Sequence, residues 1–277
     1  MKTRSEVIKS RQNPAIQRLA ALDEKKYRDA DRIFSIDGYK LLLEAVQAQA
    51  QIVAVYLSSE KAGQYLQSIE NLLSDEMYRD TEVIIVEEEL FHRISREKSP
   101  QGVVTLVKYL DKIQNLIKIY KVTAFSEMRS GALLLDGVRD PGNLGAIVRS
   151  AVAFGIRDVL LSRDCVDLYN PKVIRSAMGG IFRLRASYVE DLPGSIREIR
   201  RAGHRVYAAE LRPGARSIQE VGIRHGDTIV IGNEGHGISV EVSRACDGSV
   251  YLPISPEAES LNAAVAASIF LWEMKEV

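Results

Sequence analysis

Three short stretches of this chain gather, around a turn, residue types that can do chemistry. Residues 136–149 read DGVRDPGNLGAIVR, so one acidic, glycine-rich turn carries Asp136 and Asn143 and sends Arg149 into an apolar helical pattern. Residues 231–237 read IGNEGHG; the glycines let a ligand lie against bare backbone, and Glu234 adds a carboxylate. Residues 252–262 read LPISPEAESLN and open a small, apolar helical run, leaving Ser260 and Asn262 at its mouth in need of partners. Together they could hold a small molecule against main chain with a guanidinium facing it. Each feature also has a plain structural alternative. Spacing alone makes Arg149 an ordinary solvated helix arginine, Asp136 and Asn143 turn or capping residues, and Ser260 a helix N-cap.

Other chemistries are excluded by spacing. The second stretch is GxxGxG and not the dinucleotide fingerprint GxGxxG, which removes the support for a nucleotide-dependent oxidoreductase, and no GK[ST] follows it. His92, His204, His225 and His236 are scattered without HxxxH or cysteine partners, so no metal site is expected. There is no GxSxG elbow.

The elements that must position these residues follow from periodicity. Leu144, Ile147, Val148 and Ala151 form one helical stripe, and at about 100° per residue Arg149 points away from it. Apolar runs at 132–135, 159–161, 205–208, 228–231 and 249–252 alternate with helical windows, which predicts a mostly parallel sheet with covered faces. Ligands of such sheets collect beyond the carboxyl ends of the strands, where all three turns fall. The run at 263–272, AAVAASIFLW, is expected to be a helix buried on nearly every side.

Upstream, Asn13-Pro14 opens a helix carrying Ile16, Leu19 and Leu22, and short strands at 33–36, 52–57, 83–86 and 103–107 alternate with helical patterns. The expected organisation is a small α/β domain over 1–107, a connector over 108–130 that is helical or extended, and a larger α/β domain over 131–277. Lysine and arginine total 37 against 37 aspartate and glutamate, so a nucleic-acid partner would have to meet a local basic patch. Two distant cysteines suggest reduced thiols, no secretory signal leads the chain, and no run is long enough to span a bilayer; a soluble cytoplasmic protein is expected.

Taken in order, the three stretches resemble the signature motifs of the SpoU (TrmH-like) branch of the SPOUT RNA methyltransferases. The segments IKSRQNP (8–14), KYR (26–28) and FSIDG (34–38) are similar to the small RNA-recognition domain often fused to that family, with Asp37 where Glu is more usual. NPKVIRSAMGGIFRL (170–184) resembles a further family segment. The resemblance implies S-adenosylmethionine as methyl donor, a ribose 2′-hydroxyl of structured RNA as acceptor, a homodimer through the C-terminal domain, and a trefoil knot there. It implies that Gly232, Asn233, Gly235, Leu252, Ile254 and Leu261 hold the cofactor, and that Asn143, Arg149, Glu234, Ser260 and Asn262 form the catalytic set. A guanidinium is effectively always protonated, so Arg149 fits a stabiliser of a phosphate and a developing alkoxide better than a general base. RNA would be met by Arg11, Lys25, Lys26 and Arg28 of the N-terminal domain and by Lys172 and Arg175 beside the active site. The fused domain favours ribosomal RNA of the 23S type; the alternatives are a transfer-RNA 2′-O-methyltransferase and a non-catalytic RNA-binding or ribosome-assembly factor.

Overall fold

The computed structural model describes residues 2–97, 99–111, 113–117 and 131–276, which form two compact units. The first comprises Met1–Leu110 together with Tyr169–Phe182, the second Asp111–Leu168 with Arg183–Val277.

In the first unit, strands β1 (Lys2–Ile8), β2 (Ile33–Asp37), β3 (Ile52–Ser58), β4 (Glu82–Val86) and β5 (Val103–Lys108) pair in the order β1-β4-β3-β5-β2. The β1–β4 and β4–β3 pairs are parallel, whereas β5 runs antiparallel to both β3 and β2. The helix Pro14–Ala21 starts as its sequence dictates: Asn13 Oδ1 accepts the Ala15 N–H at 3.0 Å, and proline takes the first helical position. Its Ile16 and Leu19 join Leu22, Ile33, Tyr56, Ile84, Phe91 and Leu106 in one core. The later segment is tied in by aromatic packing, since the rings of Tyr109 and Tyr169 stack at 3.9 Å and Phe34 lies 4.8 Å from Tyr169.

Arg28 departs from its expected role. It is 2% exposed and donates to the Leu22 and Asp23 carbonyls at 2.8 Å each, so it satisfies chain-turn acceptors and offers no surface to a phosphate.

The second unit is an eight-stranded sheet, parallel at every described pairing. Its strands are β6 (Ile113–Ile117), β7 (Ala132–Asp136), β8 (Asp158–Ser162), β9 (Arg185–Val189), β10 (Val206–Ala209), β11 (Arg216–Ser217), β12 (Thr228–Gly232) and β13 (Gly248–Tyr251). Their order is β11-β13-β10-β12-β7-β8-β9-β6, so β12 enters between two strands laid down earlier, β7 and β10. The central strands are buried throughout, as continuous apolar runs covered on both faces require. Of the expected connector, Lys108 ends β5, residues 109–111 follow it and Ile113–Ile117 is strand β6; residues 112 and 118–130 lie outside the described residues. Burial pushes the Cys165 thiol up to about 11 and that of Cys246 up to about 12, which marks both as packing groups.

Arg28→Met removes the donors to Leu22 and Asp23 and should lower stability by about 1–3 kcal/mol in urea unfolding. The same change should leave RNA affinity unaltered in a filter-binding assay, because the guanidinium never reaches the surface.

Candidate functional site

The turns after β7 and β12 leave the sheet side by side, because Asp136 and Gly232 are the last register pair of those strands. Gly232 cannot carry a side chain: a Cβ there would stand 2.4 Å from the Gly237 carbonyl carbon and 2.5 Å from the Ile238 nitrogen. The second turn therefore folds back on its own strand end, closed by Asn233 N–H to Gly237 O at 2.9 Å and the reverse bond at 3.0 Å. Asn233 fastens it to the first turn. Its Nδ2 donates to Gly137 O at 2.6 Å while its Oδ1 accepts the Gly235 and His236 N–H groups at 2.9 and 3.1 Å. Asp136 Oδ2 accepts the Ser239 N–H at 2.7 Å from the other side.

A chain of side-chain hydrogen bonds then joins all three turns. Asn143 Nδ2 donates to Glu234 Oε1 at 3.0 Å, and Asn262 Nδ2 donates to Asn143 Oδ1 at 2.9 Å. Glu234 also accepts the backbone N–H groups of Arg139 and Asp140, at 3.3 and 3.1 Å. Asn262 Oδ1 caps the last helix through Ala264 N–H at 2.9 Å and Val265 N–H at 3.3 Å. The polarity is forced from one end. An ionised carboxylate only accepts, so the Asn143 amide must turn its NH2 toward Glu234 and its oxygen toward Asn262. Burial tends to raise the Glu234 carboxyl, but the bonds from Asn143, Arg139 and Asp140 outweigh it and hold the group below the usual glutamate range.

The helices that carry these residues meet along one side. Asp140 caps Pro141–Ala153 by accepting the Asn143 N–H at 2.7 Å, and Ser150 and Ser268 join that helix to Ala263–Met274 at 2.8 Å. The buried stripe is Leu144, Ile147, Val148 and Ala151, as its spacing demands, so Arg149 faces out. Arg149 is exposed, with no hydrogen-bond or ion-pair partner among the described residues, about 9 Å along the helix from Asn143 at 1.5 Å per residue.

Several sequence-based assignments change. The cap that spacing alone offered at Ser260 is Asn262, because the helix begins at Ala263; Ser260 is exposed and caps no described helix. The Ala263–Met274 helix is not buried all round: Val265, Ile269 and Trp272 are 49%, 38% and 52% exposed and border an open groove with Ala146 and Phe154. Leu252 and Leu261 are half-buried and Ile254 is 38% exposed, so the third turn presents main chain flanked by apolar side chains. Lys172 and Arg175 belong to the first unit, where Arg175 donates to the Arg96 carbonyl at 3.1 Å. Arg11, Lys25 and Lys26 are exposed in that unit, the two lysines paired with Asp29 and Glu24. Sequence reasoning missed Asp140 and Asp164. Asp140 sits three residues before Asn143 in the capping pattern that could have identified it, whereas Asp164, which pairs with Arg139 at 3.3 Å and accepts from Ser162 at 2.6 Å, carried no spacing signal.

Residues 131–272 match the SpoU rRNA Methylase family, and residues 13–105 match the MRM3-like substrate binding domain. The chain is 28% identical over 268 residues to the Bacillus subtilis 23S rRNA (guanosine(2553)-2′-O)-methyltransferase RlmP, covering 97% of this chain and 98% of that protein. It is 30% identical to the 23S rRNA (guanosine-2′-O-)-methyltransferase RlmB of Coxiella burnetii, across 88% of this chain and 94% of the relative. Among solved structures, an AdoMet-bound rRNA methyltransferase from Sinorhizobium meliloti superposes with a TM-score of 0.81 at 28% identity, over 97% of each chain.

Since the Glu234 carboxyl is depressed on folding, its contribution to stability is complete above the unfolded value of about 4.3 and is lost as pH falls through the lower folded value. Thermal unfolding followed across that acid range should show the loss in the parent chain and a shallower dependence in Glu234→Gln.

Proposed function

The chain belongs to the SpoU rRNA methylase family, and from that premise we propose that it moves a methyl group from S-adenosylmethionine to a ribose 2′-hydroxyl of large-subunit ribosomal RNA. The observation that carries this reading is the bonded series Glu234–Asn143–Asn262, which joins three turns to the helix bearing Arg149, an exposed arginine with no partner among the described residues.

The residues present fit the cofactor. The second turn, drawn in at Gly232 and exposed over 234–237, and the third turn, exposed over 253–260 between half-buried Leu252 and Leu261, offer backbone donors and acceptors beside apolar side chains. Bound there, S-adenosylmethionine supplies a methyl group on a sulfonium, an electrophile needing no metal. The protein's own task is alignment and charge. Arg149 would pair with the phosphate beside the target ribose and stabilise negative charge growing on the 2′-oxygen as the oxygen–methyl bond forms and the sulfur–methyl bond breaks, with S-adenosylhomocysteine as leaving group and the hydroxyl proton passing to solvent water. Asn143, Glu234 and Asn262 act at one remove by fixing the helix that bears it, and exposed Ser260 is free to meet the ribose.

RNA engages the N-terminal domain through Arg11, Lys25 and Lys26, whose surface charges can exchange carboxylate partners for phosphates. The exposed face of Val265, Ile269 and Trp272 pairs with its copy in a homodimer through the C-terminal domain, an apolar strip of a kind that isolated monomers seldom leave to water. The late insertion of β12 between β7 and β10 supports a trefoil knot. No described helix is long and apolar enough to cross a membrane, and the protein works in the cytoplasm.

Arg149→Ala should leave S-adenosylmethionine affinity within about twofold in calorimetry while methyl transfer to ribosomal RNA falls by about 10²–10³-fold. Retention of most of the rate would reject the assignment. Ile269→Asp should convert the sedimenting species from dimer to monomer, and an unchanged mass would remove the proposed interface.

A further inference from the structure

The first unit contains a cavity of about 310 Å³ that the methyl-transfer reading leaves unused. It opens where the end of β2, the start of the Tyr39–Gln47 helix and the Pro171–Ala177 helix converge. Two carboxylates line it: Asp37, half-buried and accepting from Ser95 Oγ at 3.1 Å through Oδ1, and Glu97, close enough for its charge to act on Asp37. Arg96 lines the cavity beside Asp37, with Nε on Asp23 at 2.5 Å and Nη1 on Ser35, and its charge partly offsets the effect of burial on Asp37. Lys40 and Arg175 stand exposed at the mouth, and Lys40 has no partner among the described residues. Leu41 and Ile174 give apolar walls. Met178 completes them, 51% exposed and held at φ 48°, ψ 49°, a left-handed conformation that a methionine adopts only at a cost.

Carboxylate acceptors inside, with Arg96 already engaged by Asp23 and Ser35, apolar side chains beside them and cations at the rim match a ligand with a donor edge, a planar body and an anionic tail. We infer that this cavity binds a guanosine nucleotide extruded from the RNA, with Asp37 accepting from the base, Met178 and Ile174 against its face, and Lys40 on its phosphate. Guanine is selected because its Watson–Crick edge presents two adjacent donors, N1–H and the N2 amino group, which one carboxylate can accept together. Cytosine and adenine offer one amino group there, and uracil sets its single N–H between two carbonyls. Thioether and aliphatic side chains supply sequence-tolerant contact to the ring, so selection falls to the carboxylate. The inference rests on the RNA reading above and names a second contact, apart from the methylated ribose.

The test is calorimetric titration of the full chain, saturated with S-adenosylhomocysteine to occupy the cofactor site, with 5′-GMP, 5′-AMP, 5′-CMP and 5′-UMP. GMP should bind at least tenfold more tightly than UMP. Asp37→Asn should weaken GMP at least tenfold and erase the preference. Lys40→Ala should weaken GMP but leave guanosine unchanged, and Met178→Ala should weaken all four nucleotides several-fold. The last two side chains are exposed and their loss leaves the fold intact, so they decide the matter even if Asp37→Asn unfolds. Equal binding of all four nucleotides, GMP affinity untouched by Lys40→Ala and Met178→Ala, or selective capture of a free amino acid by the same groups would overturn the inference. Because no RNA or methyl donor is present, failure here leaves the methyltransferase reading standing. Loss of methyl transfer with GMP binding intact would do the reverse.

Discussion

One carboxylate orders the end of the larger unit where its three turns meet. Glu234, unable to donate while ionised, fixes the direction of every hydrogen bond from the second turn through Asn143 to the cap of the last helix. Reversing either amide would oppose two donors or two acceptors. The network therefore has a single low-energy arrangement, and three segments far apart in sequence are held in one geometry by bonds about 3 Å long. The accompanying N–H bonds from Arg139 and Asp140 add the start of the first motif to the same anchor.

Upon that anchor the sheet imposes a second constraint. Parallel strands end together, so the turns after β7 and β12 emerge as neighbours, and the lack of a side chain at Gly232 lets the second turn close against its own strand. The outward placement of Arg149 then follows from helix periodicity once its stripe of Leu144, Ile147, Val148 and Ala151 is buried.

Much of this was legible in the residues. Continuous apolar runs announced the parallel strands, glycine and asparagine marked the turns, and spacing oriented Arg149. What escaped did so for physical reasons. Arginine looks the same on a surface and in a turn, so nothing in the sequence told that Arg28 is buried against the Leu22 and Asp23 carbonyls. Two polar residues near a helix start are both candidate caps, and the start of the helix at Ala263 makes Asn262, not Ser260, the residue beside the free N–H groups. With Ser268 as its single polar side chain before Glu273, the last helix has no polar face to reveal which side stays open, so the exposure of Val265, Ile269 and Trp272 is set by what packs against the helix. Strands β1 and β9, with basic and hydroxyl residues, lack the alternation that betrays a half-buried strand. That Tyr169–Phe182 packs with the first unit is set by aromatic partners distant in sequence, Phe34 and Tyr109.

The place of Asn262 has a bearing on biosynthesis. The residue that closes the bonded series lies beyond every strand of the sheet, and β12 itself must slot between neighbours already in position. Pairings so distant along the chain are slow to form. During translation every strand of the sheet is thus synthesised before the residue that links Asn143 to the cap of the last helix, and a message truncated before that codon encodes the sheet without the link.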